Sequence, residues 1–140
     1  MLYGNDRDHM RLVFCEAWRK HGEGLPLDPL ETLIRDLLLQ HPEYQPLVAD
    51  PERALGAGDT EGSNPFLHLG LHLALREQLQ TDRPAGVAAA YRAIVAATGD
   101  THQAEHRMMA CLQAVLQEAQ QNGRPPDEAA YLAALHTLAH

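Results

Sequence analysis

The sequence has few of the residues that fill β-sheets. It contains 5 Val and 2 Ile against 22 Leu and 21 Ala among its 140 residues. Leucine and alanine favour helices, whereas valine and isoleucine are enriched in strands. Because single domains most often have about 100–150 residues, we expect one all-α domain that spans residues 1–140.

Positive charge and aromatic side chains are also scarce. Lys plus Arg number 11 against 19 Asp plus Glu, the formal net charge is −8, and aromatic residues make up 5% of the chain. Nucleic acids and anionic lipids require a positive field, and single strands also require stacking platforms. We therefore expect neither nucleic acid nor a membrane as a partner.

Long apolar runs and cysteines are rare as well. No apolar stretch approaches the roughly 20 residues that span a membrane, and no basic segment precedes an apolar one at the start of the chain. The two cysteines, Cys15 and Cys111, lie far apart in apolar helical stretches, where reduced buried thiols are typical. These features predict a soluble, cytoplasmic protein.

Apolar periodicity and end signals predict about six helices in a mostly up-and-down bundle. They are residues 6–21, a helix capped by Asp28 and closed by His41-Pro42, residues 65–80, residues 84–98, a helix capped by Asp100 or Thr101 that stops at Asn122-Gly123, and a last helix after Asp127. The Gly-rich and acidic segment of about residues 50–63 is expected to be the longest loop and to be mobile.

In the third predicted helix, two residue patterns indicate different secondary structures. In residues 67–75 the leucines alternate as in a strand, whereas the histidines have helical spacing. Helix formers dominate, no β-branched residue occurs there, and Asn64-Pro65 is a typical helix start. We therefore predict a helix.

Histidine is the abundant residue that needs an explanation. Six of the nine histidines form three pairs at i,i+4, which are His68/His72, His102/His106 and His136/His140. Random placement would give about half of one such pair, and this spacing puts both side chains on one helix face. Two imidazoles one helical turn apart can bind a single cation. His68 and His72 also interrupt a run of leucines, where an unsatisfied imidazole is costly.

Up-and-down packing would bring two of these pairs to the same level along the axis of the bundle. The third and fifth predicted helices would be parallel, and His68 and His102 lie near their starts. We expect a mononuclear metal site between these helices with at least three ligands from His68, His72, His102 and His106. The weaker candidates are His9, His41 and Glu43, which the same topology or spacing brings to that end of the bundle.

Glu105 is the candidate for a catalytic residue. It precedes His106 and lies three residues after His102, so it borders the predicted site. One interpretation makes it an orienting group or a general base on metal-bound water. The other makes it a solvated carboxylate on the helix surface.

Two functions remain open. The first is a small metal-binding protein that uses zinc, nickel or iron, either as a metal-dependent hydrolase or transferase or without catalysis. The second is a metal-free protein interaction module, with packed or hydrogen-bonded histidines, that meets a partner protein or forms a homodimer through apolar helix surface.

Motifs over nearly the whole chain resemble a bacterial family of unknown function, domain of unknown function 1841. They are residues 64–72, 76–78 and 82–86, His41-Pro42-Glu43-Tyr44, residues 105–109 with Cys111-Leu112, and residues 123–127. Members of the family often carry a second histidine directly after the tyrosine, where this sequence has Gln45. The resemblance supports the domain boundaries and the His68, His72 and His106 signature, and it implies no activity.

Overall fold

The computed structural model describes residues 2–56 and 65–140. Within these ranges the chain forms eight α-helices and one 3-10 turn and contains no strand. The elements are α1 (Leu2–Gly22), α2 (Pro29–Gln40), the 3-10 turn Pro42–Tyr44, α3 (Gln45–Val48), α4 (Pro51–Gly56), α5 (Pro65–Thr81), α6 (Val87–Thr98), α7 (Thr101–Asn122) and α8 (Glu128–Ala139). The predicted all-α class is confirmed.

The predicted number of about six helices is wrong, because two short helices follow α2. Helix α3 has four residues and α4 has six, too few for a hydrophobic period to be visible in the sequence. The carbonyl and carboxylate oxygens of Asp50 accept hydrogen bonds from the N–H groups of Ala54 and Arg53 at 2.9 and 3.3 Å. The first part of the loop predicted at about 50–63 is therefore helical, and residues 57–63 lie outside the described residues.

Most helix ends lie where their end signals predict them. Asp28 and Glu31 form a reciprocal capping box at the start of α2, with N···O distances of 2.7 and 3.0 Å. Asp100, rather than Thr101, is the N-cap of α7, and it accepts from the N–H groups of His102 and Gln103. Caps of this kind satisfy amide groups that have no partner inside the helix.

Helix α6 begins at Val87, three residues later than predicted. The carboxylate of Asp82 accepts hydrogen bonds from the N–H groups of Gly86 and Ala88 at 3.2 and 3.0 Å. This contact folds residues 82–86 into a separate turn, in which Gly86 has φ +100°. Glycine adopts that conformation without a steric penalty, so the turn replaces the helical start expected at Pro84.

The chain divides into two compact units, residues 1–73 and 74–140, with the boundary inside α5. The single domain over residues 1–140 stays a prediction. Within the described residues, no helix is both long and apolar enough to cross a membrane. Cys15 and Cys111 are free thiols; the first is buried and the second partly buried.

The first unit packs α1 to α4 and the first half of α5 around one apolar core. Its buried side chains are Phe14, Cys15, Ala17, Ile34, Leu37, Leu38, Leu47, Val48, Ala54, Phe66, Leu69 and Leu73. The buried guanidinium of Arg11 donates to the carbonyl oxygen of Ala54 at 2.9 Å and lies 4.8 Å from the ring centre of Phe66. Arg11 thereby connects α1 with α4 and with the start of α5.

The second unit packs α6, α7 and α8 against one another and includes the second half of α5. Its fully buried residues include Leu75, Val87, Ile94, Met108 and Leu135. The hydroxyl of Tyr131 on α8 donates to Oε1 of Gln78 on α5 at 2.8 Å. Since a buried phenol needs a polar partner, this bond fixes α8 against the end of α5.

Candidate metal centre

The first unit holds two of the predicted histidines on one face of α5. The ring centres of His68 and His72 lie 4.6 Å apart, and their Nε2 atoms are separated by 3.1 Å. His72 is fully buried and His68 is partly buried. The helix in this segment is confirmed, since the alternating leucines belong to α5 and only Leu67 among them has about half of its surface exposed.

His41 joins this pair from the end of α2. Its ring centre lies 4.6 Å from that of His72 and 5.3 Å from that of His68, and its side chain is almost completely buried. The Nδ1 atom of His41 lies 2.8 Å from the carbonyl oxygen of Leu37. A carbonyl only accepts hydrogen bonds, so Nδ1 is the donor in this contact.

The three imidazoles of this histidine triad, His41, His68 and His72, each bring a ring nitrogen within 4.8 Å of the others. Two nitrogens bound to one zinc ion at about 2.0–2.1 Å lie about 2.9 Å apart at a right angle and about 3.3 Å apart at the tetrahedral angle. The 3.1 Å between His68 and His72 falls in that interval. The composition of the triad thus suits a transition-metal ion, and the His68–His72 pair has the spacing of two ligands of one ion.

Tyr44 covers one side of the triad. Its ring is nearly parallel to that of His41, with 12° between the planes and 5.8 Å between the centres, and it lies 6.1 Å from the ring of His68. Burial, and to a lesser degree the charge of Glu43, raises the pKa of the Tyr44 phenol above its usual range. The side chain therefore contacts the triad as a neutral, half-buried ring.

Gln45 occupies the position at which the resembled family often carries a second histidine. Its side-chain amide donates to the carbonyl oxygen of Leu38 at 3.0 Å. The same carbonyl also accepts the backbone N–H of His41 at 3.3 Å. In this chain the position helps to close α2 just before His41.

The two remaining weaker candidates of the first unit, His9 and Glu43, are both exposed, and neither belongs to the group of potential ligands found among the described residues. Sequence spacing ranked His41 with these two. The i,i+4 rule finds ligand pairs within one helix, whereas His41 lies at the end of a different helix, and only its packing brings it to the pair.

In the second unit, His102 and His106 lie on one face near the start of α7, with ring centres 4.1 Å apart. They line an open surface groove of about 550 Å³ together with Asp100, Gln103, Arg107 and Ala110. The i,i+4 arrangement of this pair is as predicted. The sequence predicts that this pair and His68/His72 share one ion, and this stays a prediction.

Glu105 has a different environment from the solvated surface carboxylate of the second interpretation. Its side chain is buried, and Oε1 accepts a hydrogen bond from Nε of Arg76 at 3.2 Å. Both side chains belong to the second unit, and both are largely inaccessible to solvent. The ion pair gives the Glu105 carboxylate a structural role, and its role as a general base stays a prediction.

Comparison with protein families identifies the chain. The model of the family described as Domain of unknown function (DUF1841) matches residues 6–137. The chain belongs to this family. The resemblance inferred from the motifs is thereby confirmed, and the DUF1841 region includes the histidine triad, Tyr44 and Glu105. No curated protein and no solved structure matches the chain.

Proposed function

We propose that this protein binds one divalent transition-metal ion through His41, His68 and His72. The observation that carries the proposal is the convergence of three ring nitrogens from two separate helices within 4.8 Å. Burying an imidazole costs free energy unless a partner satisfies its ring nitrogens, whereas a histidine on the surface is satisfied by water. A single metal ion would bind one nitrogen of each of the three.

The hydrogen bond between His41 and Leu37 supports the same proposal. Metal-binding histidines usually donate the second ring N–H to a carbonyl or carboxylate, which fixes the tautomer and the ring orientation. His41 makes this bond to the backbone of its own helix. Nε2 is therefore the ring nitrogen that would coordinate the ion.

Zinc, nickel and iron are the ions we propose, since imidazole ligands suit all three. Three protein ligands leave at least one coordination position for water or a substrate, which is the arrangement of catalytic zinc sites. We therefore propose further that the protein is a metal-dependent hydrolase or transferase. We also propose that it is located in the cytoplasm, as expected from the sequence.

The experiment is metal analysis of protein purified without a histidine tag, by plasma mass spectrometry, for the wild type and His68→Ala. We expect about one ion per chain in the wild type and a loss of most of it in the variant. His9→Ala is the matched control from the same unit and should retain the ion. Substoichiometric metal that His68→Ala leaves unchanged would overturn the proposal.

His102→Ala and His106→Ala belong in the same assay. They measure the contribution that the sequence predicts for the second histidine pair. Loss of the ion in either variant would support the larger ligand set, and unchanged content would restrict the ligands to the triad.

The 3.1 Å between the Nε2 atoms of His68 and His72 also favours a second candidate function. This distance is that of a direct imidazole hydrogen bond, which would satisfy both rings in a metal-free interaction module or homodimer. The two functions differ in their response to a chelator. A bound metal raises the thermal midpoint by mass action, so an unchanged midpoint after chelation would support the metal-free function.

A further inference from the structure

The three imidazoles of the triad bind a metal ion as neutral ligands, and this determines which kind of exogenous ligand the metal-loaded site binds. The inference rests on the proposed metal binding. A histidine coordinates as a neutral imidazole, and His41 uses Nδ1 to donate to the Leu37 carbonyl. A divalent ion held by histidines alone therefore keeps its full charge of +2.

The described residues offer no carboxylate or thiolate that would compensate this charge within the ligand group. The group of potential ligands found among them contains histidines alone. Glu43, the acidic residue nearest to His41 in the sequence, is exposed. The charge would thus be held by neutral groups only.

The surroundings of the triad make an uncompensated charge costly. His72 is fully buried, His41 is almost so, and Leu37, Leu38 and Leu69 on the same two helices have no exposed surface. In such an environment, an ion without a counter-charge is strongly disfavoured. An anionic ligand from solution would supply the missing negative charge.

We infer that the metal-loaded triad binds a small anion as an exogenous ligand, and that the substrates of this site carry a carboxylate or a comparably small anionic group. Three histidines leave coordination positions vacant on zinc, and more on nickel or iron. His68 and Tyr44 are only partly buried, so solvent reaches this side of the triad.

Cobalt(II) is the probe that tests this inference, because its visible absorption responds to the number and type of its ligands. The untagged, metal-depleted protein is loaded with cobalt(II), and the stoichiometry is measured first. The loaded protein is then titrated with azide, formate and phosphate at constant ionic strength, with perchlorate as the weakly coordinating control. His9→Ala, loaded in the same way, is the matched control variant.

We expect a saturable change of the cobalt spectrum with azide and formate, at concentrations about tenfold or more below those at which perchlorate has any effect. A response to phosphate without a response to azide or formate would overturn the restriction to small anions. Stoichiometric cobalt whose spectrum no anion changes would overturn the inference and leave metal binding intact. Failure of the protein to take up cobalt, zinc, nickel or iron would overturn the metal-binding proposal itself.

Discussion

The ring of His41 is oriented by a hydrogen bond to the carbonyl oxygen of Leu37, one helical turn earlier in α2, at 2.8 Å. This carbonyl is among the last acceptors of α2 and has no partner of its own in the helix. The same bond therefore satisfies the helix end and holds the ring of His41 beside those of His68 and His72. The end of α2 is in this way a structural part of the proposed metal site.

The first prediction concerns His41 as a ligand. His41→Ala should weaken zinc binding by about tenfold or more relative to the wild type, because one of three proposed nitrogen ligands is lost. Competition with a chromophoric chelator measures the affinity. His9→Ala is the control and should bind as the wild type does. Equal affinities of His41→Ala and the wild type would remove His41 from the ligand set.

The second prediction concerns the ring of Tyr44. Tyr44→Ala should accelerate metal dissociation severalfold, because the ring that lies against His41 and His68 is removed and the site opens to water. Tyr44→Phe keeps the ring and should restore the slow rate. Stopped-flow transfer of zinc to a chelator measures both rates. Fast dissociation from Tyr44→Phe would instead assign the effect to the hydroxyl group.

Most of the helices were predictable because their signals are local. Asp28, Asp100 and Asp127 each accept a hydrogen bond from an N–H group of the first turn, and a cap of this kind needs only the neighbouring residues. The start of α6 was not predictable, because it depends on the Asp82 carboxylate reaching across a proline-containing turn to Gly86 and Ala88.

Part of the site was predictable from spacing within one helix. The spacing of His68 and His72 determines that both lie on one face of α5, whereas the position of His41 depends on how α2 ends and packs. The burial of Glu105 likewise depends on Arg76, which is 29 residues earlier in the chain. Long-range packing of this kind leaves no periodic signal in a single sequence.

The third prediction concerns the ion pair of Arg76 and Glu105, whose side chains are 18% and 10% exposed. Glu105→Gln should lower the free energy of unfolding by roughly 3 kcal/mol, because it leaves a mostly buried guanidinium without its counter-charge. Urea denaturation followed by circular dichroism measures the change.

Two controls separate this effect from a general loss of charge. Glu118, on the same helix as Glu105, forms an exposed ion pair with Arg124. Glu118→Gln removes this pair and should lower the free energy of unfolding by less than about 1 kcal/mol. The double variant Arg76→Met/Glu105→Met should recover part of the loss, because it removes the stranded charge together with its partner. A single variant as stable as the wild type would contradict the structural role of the pair.

The last prediction concerns the acid stability of the first unit. The N–H group of Asp28 and then the ammonium group of Lys20, at 2.9 Å, lower the pKa of Glu31 below its usual value. A group whose pKa is lower in the folded state stabilises the fold above its unfolded pKa, about 4.3 for glutamate. This stabilisation is lost as the pH falls through the lower, folded value.

Glu31→Gln should therefore be less stable than the wild type at pH 7, and the difference should shrink as the pH falls below about 4.3. Thermal unfolding between pH 7 and pH 3 measures this, with chelator present so that metal release does not contribute. Glu52→Gln, an exposed residue of α4, is the matched control and should follow the wild type at every pH. A constant difference between Glu31→Gln and the wild type across this range would mean that the carboxylate acts through its shape and hydrogen bonds, and that its charge contributes nothing.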